Sequence, residues 1–154
     1  MTIVIGVGNP FRRDDGAGPA VIDALRGRVA ATLAVTDGEP ARLIELWAGA
    51  DLAIVVDAVR ADPPVPGRVH DLGADAAALA GPAVSGHAFG LGEAVALGRA
   101  VGRLPGRLRV LAIEGLDFGL GAGLTPQVAA GVAAAAARVT ALLAPAPVMK
   151  GDPT

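Results

Sequence analysis

Apolar runs of strand length recur along this chain, and most are separated by a segment with helical period. That alternation narrows the possible folds more than any other feature. Thr2–Val7 reads as a first strand. A helix follows from about Ala17 to Arg28, with Pro19 in its first turn, where a missing amide costs little. Thr32–Thr36 is a short second strand closed by Asp37-Gly38, and Pro40–Trp47 is a short helix with Leu43, Ile44 and Trp47 on one side. Asp51–Asp57 forms a third strand whose interior, Leu52 to Val56, is continuously apolar, as in parallel strands covered on both faces. A stiff proline-rich loop, Ala61–Gly67, leads to a strand at Arg68–Leu72. Leu91, Ala94, Val95, Gly98 and Val101 mark a helix over roughly Ala88–Gly102. Arg107–Ile113 is a further strand. Thr125 then caps a final helix with Pro126 at its first position and Val128, Val132, Ala135, Val139 and Leu142 as its buried stripe.

This order predicts an α/β fold, a three-layer α/β/α sandwich around a mostly parallel sheet of about five strands. Arg68–Leu72 is the best antiparallel candidate, since only a loop separates it from the third strand. Residues 1–145 form one domain, 146–154 read as a frayed tail, and no internal repeat is present. With 53% hydrophobic and only 18% charged residues the chain has material for a core and no disorder signature. Thirteen cationic residues form no dense block and the net charge is −2, so neither nucleic acid nor an anionic membrane is an expected partner. The absence of cysteine excludes disulfides, thiolate metal sites and a cysteine nucleophile. Ile3–Val7 is too short for a signal sequence, and Val128–Ala144, interrupted by Arg138 and Thr140, is too short and polar for a bilayer span. A soluble cytoplasmic protein is expected.

Polar residues fall at the ends of the expected strands: Asn9, Asp37, Asp57 and Glu114. Helical returns place those ends on one edge, where open α/β folds hold their sites. Asp57 stands out because it closes a wholly apolar strand, where a carboxylate is costly unless paired. Gly6-x-Gly8 resembles the start of a dinucleotide loop, but Phe11 occupies the third glycine's place, and Asp14 and Asp15 at the helix mouth would repel a pyrophosphate. There is no Walker loop and no HExxH pair, and Ser85 lacks a nucleophile-elbow context. His70 alternates within a strand and reads as an ordinary surface or core histidine. His87 lies in a Ser-Gly-His loop at a helix start. Asp15, Asp57 and His87 would make an O, O, N set with open coordination positions, although their spacing matches no local metal motif.

Several pieces of the sequence, taken in order, resemble the hydrogenase maturation endopeptidases. They are Gly6-Val7-Gly8-Asn9-Pro10 with Asp14-Asp15-Gly16-Ala17-Gly18, Val55-Val56-Asp57-Ala58, Ser85-Gly86-His87, Ile113-Glu114, and Gly123-Leu124-Thr125-Pro126. The resemblance implies a peptidase that trims the C-terminal extension of a nickel–iron hydrogenase large-subunit precursor after nickel insertion. Nickel held by the precursor would be the recognition point. It implies Asp15, Asp57 and His87 as metal-contacting, catalytic residues. Asn9 and Asp14, with Gly8 and Asp37, would be supporting residues that fix the loops. No organic cofactor is implied. Asp15 stands where the family often has Glu, and Gly38-Glu39-Pro40 replaces the common Gly-Gly-Thr. The same ligands would also serve a noncatalytic chaperone of the metal centre, and a nucleotide-binding domain is the more distant alternative.

Overall fold

The computed structural model describes residues 1–73, 84–86 and 88–145. Its strands are β1 (Thr2–Val7), β2 (Thr32–Thr36), β3 (Leu52–Ala61), β4 (Val69–Gly73), β5 (Val84–Gly86) and β6 (Arg107–Glu114). The helices are α1 (Ala17–Leu25), α2 (Pro40–Trp47), α3 (Ala88–Val101) and α4 (Pro126–Leu143), and a 3-10 turn, Arg13–Gly16, precedes α1. The main path of the sheet runs β2-β1-β3-β6-β4, with β5 beside β3. β2, β1, β3 and β6 are mutually parallel, whereas β4 and β5 run antiparallel to β6 and β3.

Two apolar layers hold helices on the two faces. Ile3, Ile5, Val7, Ala53, Val55, Leu108 and Val110 meet Leu43, Ile44 and Trp47 of α2 and Leu91, Ala94 and Val95 of α3. The alternate residues Val4, Ile54, Val56, Leu111 and Ile113 meet α1 and α4. β3 alternates its side chains between both layers, which is why its run from Leu52 to Val56 is apolar throughout. The α/β sandwich and its mostly parallel sheet are as the sequence predicts.

Four details differ from that reading. β3 does not stop at Asp57 but continues to Ala61, because Ala58 and Val59 remain strand-compatible and the first breaker is Pro63. Its extension pairs with β5, a three-residue strand too short to show periodicity, so the sheet gains a sixth member. β4 is antiparallel as predicted, yet its partner is β6. α1 ends at Leu25, ahead of a turn in which Gly27 takes φ 74°.

By length and hydropathy α4 is long and apolar enough to cross a membrane, contrary to the sequence expectation. Here its stripe of Val128, Val132, Ala135 and Val139 is packed in the layer it shares with α1. The tail 146–154 lies outside the described residues.

Candidate active site

Because four strands are parallel, their carboxyl ends open on one edge, and the loops leaving them carry the candidate residues. Register places Thr36, Val7, Asp57, Ala112 and His70 in one row across five strands. Side chains in such a row project to the same face. By the two-residue period this is the face that α2 and α3 cover, since Ala53 and Val55 precede Asp57 there. Glu114 lies two residues further along β6 on that face. The carboxyl end of this layer therefore carries a buried polar set, with Asp57 3% and Glu114 2% exposed.

The loop after β1 brings Asp15 to the same edge. Gly8 takes φ 144°, and a Cβ on it would collide with the carbonyl oxygen of Asp15, so only glycine allows this approach. Asp15 is buried, and its Oδ2 accepts the Asn9 amide at 2.9 Å. Asn9 Oδ1 in turn accepts from the Phe11 amide at 2.9 Å, closing a tight side-chain turn. Asp57 is thus level with Val7, the last residue of β1, and Asp15 sits on the 3-10 turn that follows that strand.

Asp14 faces elsewhere. Its carboxylate is fully buried and accepts from the amides of Leu116 and Asp117, both at 2.9 Å, and of Thr125 at 2.8 Å. The Thr125 hydroxyl donates to it as well, at 3.0–3.1 Å. Burial pushes the Asp14 pKa up, but the three amides and the hydroxyl outweigh it and hold the carboxyl below its usual range. Asp14 is a staple between the loop after β1 and the loop after β6. Thr125 occupies the N-cap of α4, yet its side chain makes no cap bond, because the hydroxyl is turned to Asp14. That corrects the reading of Thr125 as the cap.

Asp37 is exposed beyond β2, where its carboxylate accepts from the Glu39 amide at 3.2 Å. Glu39 accepts from the Ala41 and Arg42 amides, both at 3.1 Å, capping α2 ahead of Pro40. The departure at Gly38-Glu39-Pro40 therefore has a local structural use. His87 lies outside the described residues; the chain before it ends at Gly86, opposite Val59, and the chain after it begins α3.

His70 and Glu114 form a pair that sequence reasoning did not join. The His70 Nε2 lies 2.7 Å from Glu114 Oε2, and Glu114 Oε1 accepts the Val65 amide at 2.9 Å. Burial raises the Glu114 pKa, but the Val65 amide, His70 and the nearby Arg68 more than offset this and leave it lowered. The sequence signal was faint: a histidine on an edge strand, one strand from an acid.

Among the described residues no three His, Asp or Glu side chains gather where they could hold a metal ion. Asp15 and Asp57 offer hard oxygen donors, which suit a divalent cation. His70 is engaged with Glu114, and His87, the nitrogen donor expected from the sequence, lies outside the described residues.

An α/β fold with a carboxylate-bearing strand edge is the class that this architecture defines. The family model described as hydrogenase maturation protease (HycI) matches residues 20–142, and the chain belongs to that family. The matched span includes Asp57 and His87 and leaves out Asp15. Among solved structures, the hydrogenase maturating endopeptidase HybD from E. coli superposes with a TM-score of 0.78 at 28% identity, over 92% of this chain and 91% of that one. A NiFe hydrogenase maturation protease HybD from Thermococcus kodakarensis gives 0.74 at 23% identity, over 93% and 99%, a likeness of fold. No curated protein is significantly similar to the chain in sequence.

Proposed function

We propose that this chain is the endopeptidase that removes the C-terminal extension of a nickel–iron hydrogenase large-subunit precursor after nickel insertion, acting in the cytoplasm. The observation that carries the reading is the placement of two buried carboxylates, Asp57 on β3 level with Val7 at the end of β1, and Asp15 on the turn that follows β1. Its family membership supports the same reading.

In this proposal the nickel belongs to the substrate. Asp15, Asp57 and His87 grip it and so bring the scissile peptide to the sheet edge. Two carboxylates and one neutral imidazole leave positions for substrate groups and water. A divalent ion so placed polarises the carbonyl and lowers the pKa of water. Water adds to the carbonyl carbon, the C–N bond breaks, and the proton released from the water ends on the departing amine. Asp14 and Asn9 fix the loop that carries Asp15, as outer partners of ligands commonly do.

The test is incubation with a nickel-loaded precursor and mass spectrometry of its C-terminus. Wild type releases the peptide, and Asp15→Asn, Asp57→Asn and His87→Ala each lower the rate by about 100-fold or more, the scale typical when a group acting in the transition state is lost. Undiminished cleavage by all three would overturn the site. Binding of the precursor with no cleavage would make the protein a noncatalytic chaperone of the metal centre.

A further inference from the structure

The loops after β1 and β6 hold more than the site acid. Arg12 and Gly121 form a parallel bridge, in which Gly121 donates to the Phe11 carbonyl at 2.9 Å and Arg13 donates to the Gly121 carbonyl at 2.9 Å. That register sets Phe11 beside Leu120, about 5 Å apart along the backbone. Both side chains stand in solvent, Phe11 71% and Leu120 87% exposed, with Leu116 53% exposed nearby in sequence. Single exposed apolar residues are ordinary, whereas adjacent ones that make a continuous apolar patch mark interaction surfaces.

These side chains sit on rigid backbone. The Asp14 carboxylate ties down the amides of Leu116, Asp117 and Thr125, and the Asp14 amide donates to the Asp117 carbonyl at 2.8 Å. Neither loop need be ordered when a partner arrives, so little conformational entropy is lost on binding. The charge around them is also distinctive. Arg12 and Arg13 lie on the first loop, and Arg60 stacks on Phe118 of the second at 4.3 Å, within a chain whose net charge is −2. Asp14, Asp15 and Glu114 are buried, which leaves Asp117 as the exposed acid of the two loops against the exposed Arg12 and Arg13, with Arg60 beside them.

We infer that the paired loops are the docking surface for the protein substrate, with Phe11 and Leu120 as apolar anchors and Arg12 facing acidic residues of the precursor. The inference rests on the reading of the chain as a precursor-processing endopeptidase. Asn9 joins the anchor to the site acid, its amide donating to Asp15 Oδ2 and its Oδ1 accepting from the Phe11 amide, so the surface adjoins the candidate site. A few central apolar anchors commonly carry most of the energy of such a contact.

The test is steady-state processing of nickel-loaded precursor by a Phe11→Ser/Leu120→Ser double variant. Its KM rises about tenfold or more, kcat stays within about twofold of wild type, and its urea midpoint is little changed, as for exposed positions generally. Arg12→Glu raises KM and weakens its dependence on salt. Leu97→Ser/Val101→Ser, on the exposed side of α3, is the control and leaves KM unchanged. Wild-type cleavage with an unaltered KM in the double variant overturns the docking surface and leaves the proposed function standing. A loss confined to kcat would also overturn it, by making the loops part of the chemistry. A wild type that neither binds nor cleaves the precursor overturns the proposed function itself.

Discussion

Asp14 and Asp15 are chemically identical neighbours with different surroundings. Asp15 meets the Asn9 amide on the site loop, and Asp14 binds three amides and a hydroxyl from the far side of the edge. Asp14→Ala leaves those part-buried amides without their charged acceptor, each costing about 1–2 kcal/mol. The expected destabilisation is about 3–5 kcal/mol by urea unfolding, large for a single residue. Asp14 also has a pH signature. Its folded pKa lies below the ordinary value, so its contribution to stability is fully present above about pH 4 and is lost as pH falls through the lowered value. Asp14→Asn is accordingly flatter than wild type in urea midpoint against pH below about 4. An unchanged slope would show that the carboxylate's charge is not what the amides recognise. Little of this was legible in sequence. A carboxylate two residues from a helix reads as dipole electrostatics, and its partners lie over a hundred residues away, at Leu116, Asp117 and Thr125. Thr125 misled for the same reason: an N-cap position was visible, and the competing acceptor was not.

At the scale of elements, α1 is placed by contact with two strands at once. A Cβ on Gly18 would collide with the Val7 carbonyl oxygen and lie 2.6 Å from that of Val56. These are central-strand backbone atoms with no room to retreat, so Gly18→Ala must lift the helix. The overpacking costs about 1–3 kcal/mol. It also moves the 3-10 turn that carries Asp15, because Gly16 joins directly to Ala17. The expected result is a modest loss of stability with at least a tenfold loss of processing. Gly27→Ala is the contrast. Gly27 has φ 74°, but a methyl group there would meet nothing within 4 Å, so the cost is about 1–2 kcal/mol of backbone strain with processing intact. Equal losses of processing in both would show that the position of α1 does not govern the site. Strand and helix order was legible because periodicity and proline placement are local. The length of β3 was not, since Asp57 looks like a terminus, whereas its pairing with β5 and β6 is set by residues 84–86 and 107–114.

Across the whole molecule, the candidate ligands come from three separate segments: the loop after β1, the middle of β3, and the chain between β5 and α3. No local spacing rule joins them, and only the ordered set of motifs did so in the sequence. In the proposed function this donor set, with no thiolate and one imidazole, takes an ion delivered by the substrate and does not retain one in the free protein. The consequence is measurable. A resident ion stabilises a fold by RT ln(1 + [L]/Kd), about 2.7 kcal/mol at a hundredfold excess over Kd. For a domain of this size that is several degrees in Tm, about 2–4 °C for each kcal/mol. Exhaustive treatment with EDTA is therefore expected to shift the Tm of the free protein by less than about 1 °C, since no such stabilisation is present to lose. The treated protein, freed of chelator, then processes nickel-loaded precursor at the untreated rate and leaves nickel-free precursor intact. A fall in Tm of several degrees, or activity toward the loaded precursor that returns only when nickel is added to the protease, would make the ion the protein's own and overturn its assignment to the substrate.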